Sequence, residues 1–335
     1  MDTFFCFLTI AGSFYNAPMK KFKTALSVVL IIFTFITSIY ALPVQAEEPT
    51  IERIGSYLYD VASGTETFIP ATSDAVIVSQ QEIESEQNTA SFVPQGLSIN
   101  PPSDVQPATI FNNNWVEINP ATGGQYRNTV YLDITTNNGN YRGTGFMIGP
   151  NTVATCGHCI YSTEYGSSRW PTSVTVAPAM AGSSSPYGEA LATAYEVGGN
   201  WANNEDETDD WGIIRLNTNI GNSVGWLGLR TQEASYNGTS VNVNGYPALE
   251  DSNGNQILTM YRAWGTVTSS YNRMLRSTNI NNVGGMSGGP MYIYSSEYGY
   301  QAIAFTRGEN PNFNAYVRID NWIFNKFKSF INLTA

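Results

Sequence analysis

Histidine is almost missing from this 335-residue chain: His158 is the single one, and cysteine occurs only three times. One imidazole and three thiols rule out a multi-histidine metal centre and a framework of several disulfides. Charge is scarce as well. Only 13% of the residues are Asp, Glu, Lys or Arg, and 27 acidic against 16 basic side chains give a formal net charge of −11. No basic block or stripe is present to hold a polyanion, so nucleic acid is not an expected partner. Heptads are absent too, whereas Tyr, Asn, Ser, Thr and Gly are plentiful, a composition that suits a compact, β-rich, exported protein. The length alone allows one large domain or two ordinary ones.

A long apolar run occurs once. Lys20, Lys21 and Lys23 precede an apolar stretch over residues 25–42, which ends at Pro43 and Val44-Gln45-Ala46. Small or apolar residues at the last and third-last positions suit signal peptidase, and a retained membrane anchor is the competing reading. Residues 1–18 fit neither, so Met19 is the expected start and Cys6 would fall outside the working protein. Residues 1–46 are therefore read as an upstream extension and signal peptide. From 47 to 107 the chain is acidic, thinly apolar and broken by Pro70, Pro94, Pro101, Pro102 and Pro107. This stretch reads as a propeptide and linker, with a loose surface spacer as the plainer alternative. Residues 108–335 are the expected working domain.

Within that domain short β-type runs follow one another, separated by Gly, Asn and Pro. They cover 128–134, 144–148, 173–177, 212–216, 240–244, 258–267, 290–294, 302–306 and 315–319. Such a pattern predicts an all-β sandwich or a pair of barrels. A helix closes the chain, because Ile323, Phe324, Phe327, Phe330 and Ile331 recur at helical spacing after Asp320, a candidate N-cap. Its apolar stripe is expected to pack on the second barrel.

Any chemistry that needs an imidazole must use His158. It follows a run, 144–155, that reads as two strands joined by a Gly-Pro-Asn turn, and a base at a strand end is held still for proton transfer. Farther on, Gly284-Gly285-Met286-Ser287-Gly288-Gly289-Pro290 flanks a serine with glycines. Such a loop lets backbone N–H groups, here those of Gly285 and Ser287, converge on one point as an oxyanion hole. The Gly-x-Ser-x-Gly pattern also occurs in α/β-hydrolases, but their order is serine, acid, histidine, and the only histidine here precedes the serine. The order histidine, acid, serine leaves Asp206, Asp209, Asp210 and Asp251 as acids. Asp210 is chosen because it directly precedes the apolar run Trp211-Gly212-Ile213-Ile214, while Glu205, Asp206, Glu207 and Asp209 read as a solvated loop.

From about Arg127 onward the chain resembles the bacterial glutamyl endopeptidases, the staphylococcal and bacillary branch of the chymotrypsin-like serine proteases. The matching stretches include Thr144-Gly145-Phe146-Met147-Ile148-Gly149-Pro150, residues 155–161, Ser185-Pro186-Tyr187-Gly188, Asp210-Trp211-Gly212, Gly245-Tyr246-Pro247 and residues 285–290. The resemblance implies two six-stranded antiparallel β-barrels with a C-terminal helix, an active site between them, a triad of His158, Asp210 and Ser287, and secretion as a proenzyme. Protein or peptide substrates, a monomer and no cofactor or metal are expected, with no stable membrane association after signal cleavage.

Three departures from the family pattern carry expectations of their own. In several relatives the cysteine after the histidine pairs with one at the position of Gly143, so that partner is missing. A short Cys156–Cys159 disulfide is expected instead. Cys156-Gly157-His158-Cys159 also spells a thiol-disulfide oxidoreductase motif, but no helix or βαβ unit follows it. In the strand lining the specificity pocket, Phe305 stands where the family's glutamate-binding histidine is expected. Asn282, Thr306 and Arg307 are the other candidate pocket residues, with Arg307 able to attract a carboxylate; glutamate or another side chain before the cut remains open. Last, Met286 stands where animal trypsin-like enzymes place the Asp that receives the new N-terminus. Activation must therefore use another contact, after a cut between residues 98 and 117. The rivals to a protease are a non-catalytic homologue acting as a binding module and the oxidoreductase.

Overall fold

The computed structural model describes residues 52–71, 86–97, 114–119, 121–271 and 273–332. The expected signal peptide, Met19 and Cys6 lie outside the described residues. The nine β-type runs of the sequence all coincide with strands, and two antiparallel sheets dominate the molecule.

The first sheet closes on itself. Its ring runs Trp211–Leu216, Thr152–Cys156, Gly139–Met147, Thr129–Thr136, Ser173–Pro178 and Ala190–Gly198, and the last strand pairs back with the first. Alternation explains the closure: Val130, Leu132 and Ile134 are fully buried on one face, while Asp133 and Thr135 point to the other and are exposed. The second sheet contains Ser240–Gly245, Met260–Thr266, Met274–Ser277, Pro290–Ser295, Gly299–Asn310 and Phe313–Arg318. Its far ends approach through the Thr268 N–H on the Arg276 carbonyl (2.8 Å) and the Ser277 hydroxyl on the Thr266 carbonyl (2.9 Å). Two such sheets, each curled around its own core, give the chymotrypsin fold.

The C-terminal helix, Asn321–Asn332, begins where the sequence places it, with Asp320 Oδ1 accepting from the Ile323 N–H at 2.9 Å. Its buried face does more than cover the second barrel. Phe327 meets Trp211 of the first sheet and Phe305 of the second, at centroid distances of 6.2 and 6.3 Å, so the helix packs on both.

Residues 52–71 and 86–97, within the stretch read as propeptide and linker, belong to the same compact unit as the rest of the described chain, unlike the loose spacer of the alternative reading. Gly55–Asp60 and Thr65–Pro70 form a hairpin whose first strand pairs with Ala190–Gly198 from Ser56 to Asp60. Arg53, 5% exposed, lies 2.7 Å from Asp320 and 3.6 Å from the fully buried Asp209. Ser56, Glu196 and Lys326 form a second buried knot, with contacts of 2.6 to 2.9 Å. Gln87 and Asn88 pair with Thr231 and Arg230. Because its outer strand is solvated, the hairpin lacks the apolar alternation by which the other strands are legible.

Candidate active site

His158 sits in a short 3₁₀ turn, Gly157–Cys159, that ends the Thr152–Cys156 strand. Asp210 lies directly before the neighbouring Trp211–Leu216 strand, which pairs Trp211 with Cys156. That register brings the two side chains together. Asp210 is fully buried; its Oδ1 accepts from the His158 backbone N–H at 2.8 Å and its Oδ2 meets His158 Nδ1 at 2.7 Å. Two bonds from one carboxylate fix both the backbone and the ring of the histidine. Burial works against an imidazolium, but the Asp210 carboxylate, with the Cys159 and Cys156 sulfurs, outweighs it and holds the His158 pKa well above its ordinary value.

Ser287 lines the same cleft of about 400 Å³ as His158, together with Tyr141, Arg142, Trp201 and Arg307. Its loop crosses between the barrels. Gly285 has φ of 89°, and a Cβ on it would lie 2.6 Å from the Tyr246 carbonyl oxygen. Gly288 has φ of 82°, and a Cβ there would meet the Thr144 carbonyl and the Thr155 hydroxyl at 2.1 Å. The Thr144 N–H and hydroxyl bind the Ser287 and Gly285 carbonyls, both at 2.8 Å. Those carbonyls are thereby turned away, and among the described residues the N–H groups of Gly285 and Ser287 make no hydrogen bond. Two free donors beside a serine suit an oxyanion hole.

The cysteines depart from expectation, since both are free and buried. Cys156 ends a strand with its thiol on the Thr306 carbonyl at 2.9 Å, and burial, with Asp210 nearby, pushes its pKa up to about 12. Cys159 directs its thiol to the Ser287 carbonyl at 3.7 Å. A Cβ placed on Gly143 would lie 3.0 Å from the Cys159 sulfur. The thiol therefore faces the position whose cysteine is missing and not its neighbour, which is why the expected Cys156–Cys159 disulfide does not form here.

The four expected pocket residues have different surroundings. Phe305 is fully buried against Phe327. Its neighbour Thr306 pairs across the strands with Tyr316, whose ring belongs to the second barrel's core, so Thr306 faces that interior; neither hydroxyl has a partner. Asn282 is buried and lines a separate cavity of about 300 Å³ with Asn281, Asn310 and Asn314. Arg307 does reach the His158 cleft, but its guanidinium is engaged by Glu207 at 2.8 Å and lies 3.7 Å from Asp210. Asp209 is also misplaced by the sequence: it is not solvated but fully buried, accepting from Asn200 N–H and Trp211 Nε1 at 2.9 Å. Burial raises its pKa, while Arg53 opposes the rise.

Among the described residues, Cys156, His158 and Asp210 form the one group of three side chains able to offer ligand atoms to a metal ion. The donor set fits a resident ion poorly. The histidine nitrogen and the carboxylate already bond each other, and the thiol must lose a proton held to about pH 12.

Comparison with known proteins agrees with this fold. The trypsin family model matches residues 115–323. An extracellular metalloprotease of Bacillus subtilis (strain 168) is 35% identical over 232 residues, covering 68% of this chain and 71% of the relative. A glutamyl endopeptidase of Bacillus licheniformis is 37% identical over 153 residues, 46% of each. Among solved structures, a Glu endopeptidase in complex with MPD matches with a TM-score of 0.57 at 24% identity, over 67% of this chain and 99% of that one. The protease Anisep from Arthrobacter nicotinovorans gives 0.53 at 24% identity, over 65% and 99%. The chain belongs to the trypsin family of serine endopeptidases.

Proposed function

We propose that the protein is a secreted endopeptidase in which Ser287 attacks the scissile carbonyl, His158 Nε2 takes its proton and returns it to the leaving amine, and Asp210 holds the ring and stabilises the imidazolium. The N–H groups of Gly285 and Ser287 receive the oxyanion. The observation that carries this reading is the pair of bonds from the buried Asp210 to His158, in a cleft that also contains Ser287. Export is supported by the lysine-led apolar run ending at Ala46 and by the extracellular relative. Activation is read as a cut between residues 98 and 117, and the working domain as residues 108–335.

For specificity, the B. licheniformis relative supports cleavage after glutamate. Against it stands Arg307, the one cationic pocket candidate, already paired with Glu207 and Asp210. Sequencing the peptides cut from a random library decides; cuts that do not cluster after Glu remove the glutamyl assignment.

The B. subtilis relative's description as a metalloprotease sets the central experiment. A fluorophosphonate should label Ser287 and abolish casein hydrolysis, while a chelator leaves hydrolysis intact. Loss of activity to the chelator, with Ser287 unlabelled, would overturn the serine mechanism. The oxidoreductase reading is disfavoured by the Cys156 thiol, whose pKa is raised where a redox cysteine needs it lowered. Cys156→Ser is accordingly expected to spare hydrolysis that Ser287→Ala removes.

A further inference from the structure

Arg307 stands in an unusual place for a cation. It falls at the register shift between Thr306 and Gly308, where Gly299–Asn310 loses step with Phe313–Arg318. A bulge of this kind re-aims a side chain, and here the guanidinium reaches over the active-site cleft. Its terminal nitrogen is held by Glu207 at 2.8 Å, and its Nε, buried and without a hydrogen bond, lies 3.7 Å from Asp210 Oδ2. That same oxygen is bonded to His158 Nδ1. Asp210 therefore sits between two cations when His158 is protonated, and beside one when it is not.

We infer that Arg307 is a positioning residue that sets the basicity of His158 through Asp210. The inference rests on the triad proposed above. A buried carboxylate pulls protons onto the histidine it touches, and a fixed positive charge on the far side of that carboxylate weakens the pull. The other groups around His158 do not supply this offset. Asp210, Cys156 and Cys159 all favour the imidazolium. The Tyr165 hydroxyl is spent on the His158 and Cys159 carbonyls, at 3.1 and 3.2 Å. Glu164 and Glu205 line the cleft as anions, and among the described residues Arg142 is the other arginine there. Glu207 is 60% exposed, so solvent screens its charge more than that of the partly buried guanidinium.

The test is the pH profile of kcat/KM on an uncharged peptide, with each enzyme normalised by fluorophosphonate titration. Replacing Arg307 by Met should move the acidic limb upward by about half a pH unit to one unit, and Arg307→Lys should recover most of the shift. Arg307→Gln, which keeps a polar but uncharged side chain, should move the limb as Met does and serves if the Met variant does not fold. A limb that stays in place in titratable enzyme, whether or not the plateau falls, overturns the inference. Failure of the wild-type enzyme to react with the fluorophosphonate instead sinks the triad on which it rests.

Discussion

Single residues at the site make two predictions. The first concerns His158. Its raised pKa means that the protonated ring is the form the fold favours, whereas catalysis needs the neutral one. The acidic limb of kcat/KM is therefore expected above the ordinary imidazole value of 6.5. The same shift stabilises the fold fully below the unfolded pKa, and this contribution is lost as pH rises through the folded one. Stability measured by urea unfolding should thus decline across the window in which activity rises. The second concerns Cys159. A Cβ on Gly143 would lie 3.7 Å from that of Cys159, within the range of a relaxed disulfide. Gly143→Cys should close one on oxidation, visible as a two-hydrogen mass loss, and raise stability by roughly 3 kcal/mol.

What the sequence disclosed at this scale follows from the range of each contact. Asp210 could be chosen because its burial is written in the apolar residues that follow it. Asp209 could not, since its partner Arg53 arrives from a hairpin far upstream. Phe305 is expected in the pocket only from the resemblance, and nothing in its own strand announces that its ring packs on Phe327 of the C-terminal helix while Thr306, next to it, pairs with Tyr316.

At the level of elements, the N-terminal hairpin is the part that sequence reading missed and the part with most at stake. Arg53, just ahead of its first strand, lies beside the buried Asp209, and that aspartate holds the backbone of Asn200 and the indole of Trp211 on either side of the loop that carries Asp210. Arg53→Met would remove the larger of the two cationic influences on the buried carboxylate, Arg273 being the other, at a cost of up to about 3–5 kcal/mol. Adding Asp209→Leu should return part of that loss, because two apolar residues replace the pair. Thermal unfolding of the two variants checks both statements. The C-terminal helix was legible down to its cap, since capping and a 3.6-residue stripe are local signals; its second contact surface was not, because nothing local distinguishes one barrel from the other.

For the whole molecule, the expected cut between residues 98 and 117 has a consequence for activation. The segment it would sever is bound twice, by strand pairing at Ser56–Asp60 and by Gln87 and Asn88. The severed N-terminal piece is therefore expected to travel with the protease domain through size exclusion and to separate only in denaturant. A free fragment eluting later than the protease domain in native buffer would count against it. The two sheets were foreseeable from nine short strands, while the way they meet depends on close approaches such as Gly288 against Thr144, which no periodicity announces.

The solitary histidine, finally, makes the enzyme its own spectroscopic probe. In magnetic resonance the imidazole signals of most proteins overlap and must be assigned one by one. Here isotope-labelled histidine places a single ring in the spectrum, and its Nδ1 proton, shared with Asp210 over 2.7 Å, has no other imidazole to be confused with. Inhibitor binding, processing and solvent isotope effects can all be followed at that one resonance, without mutating anything.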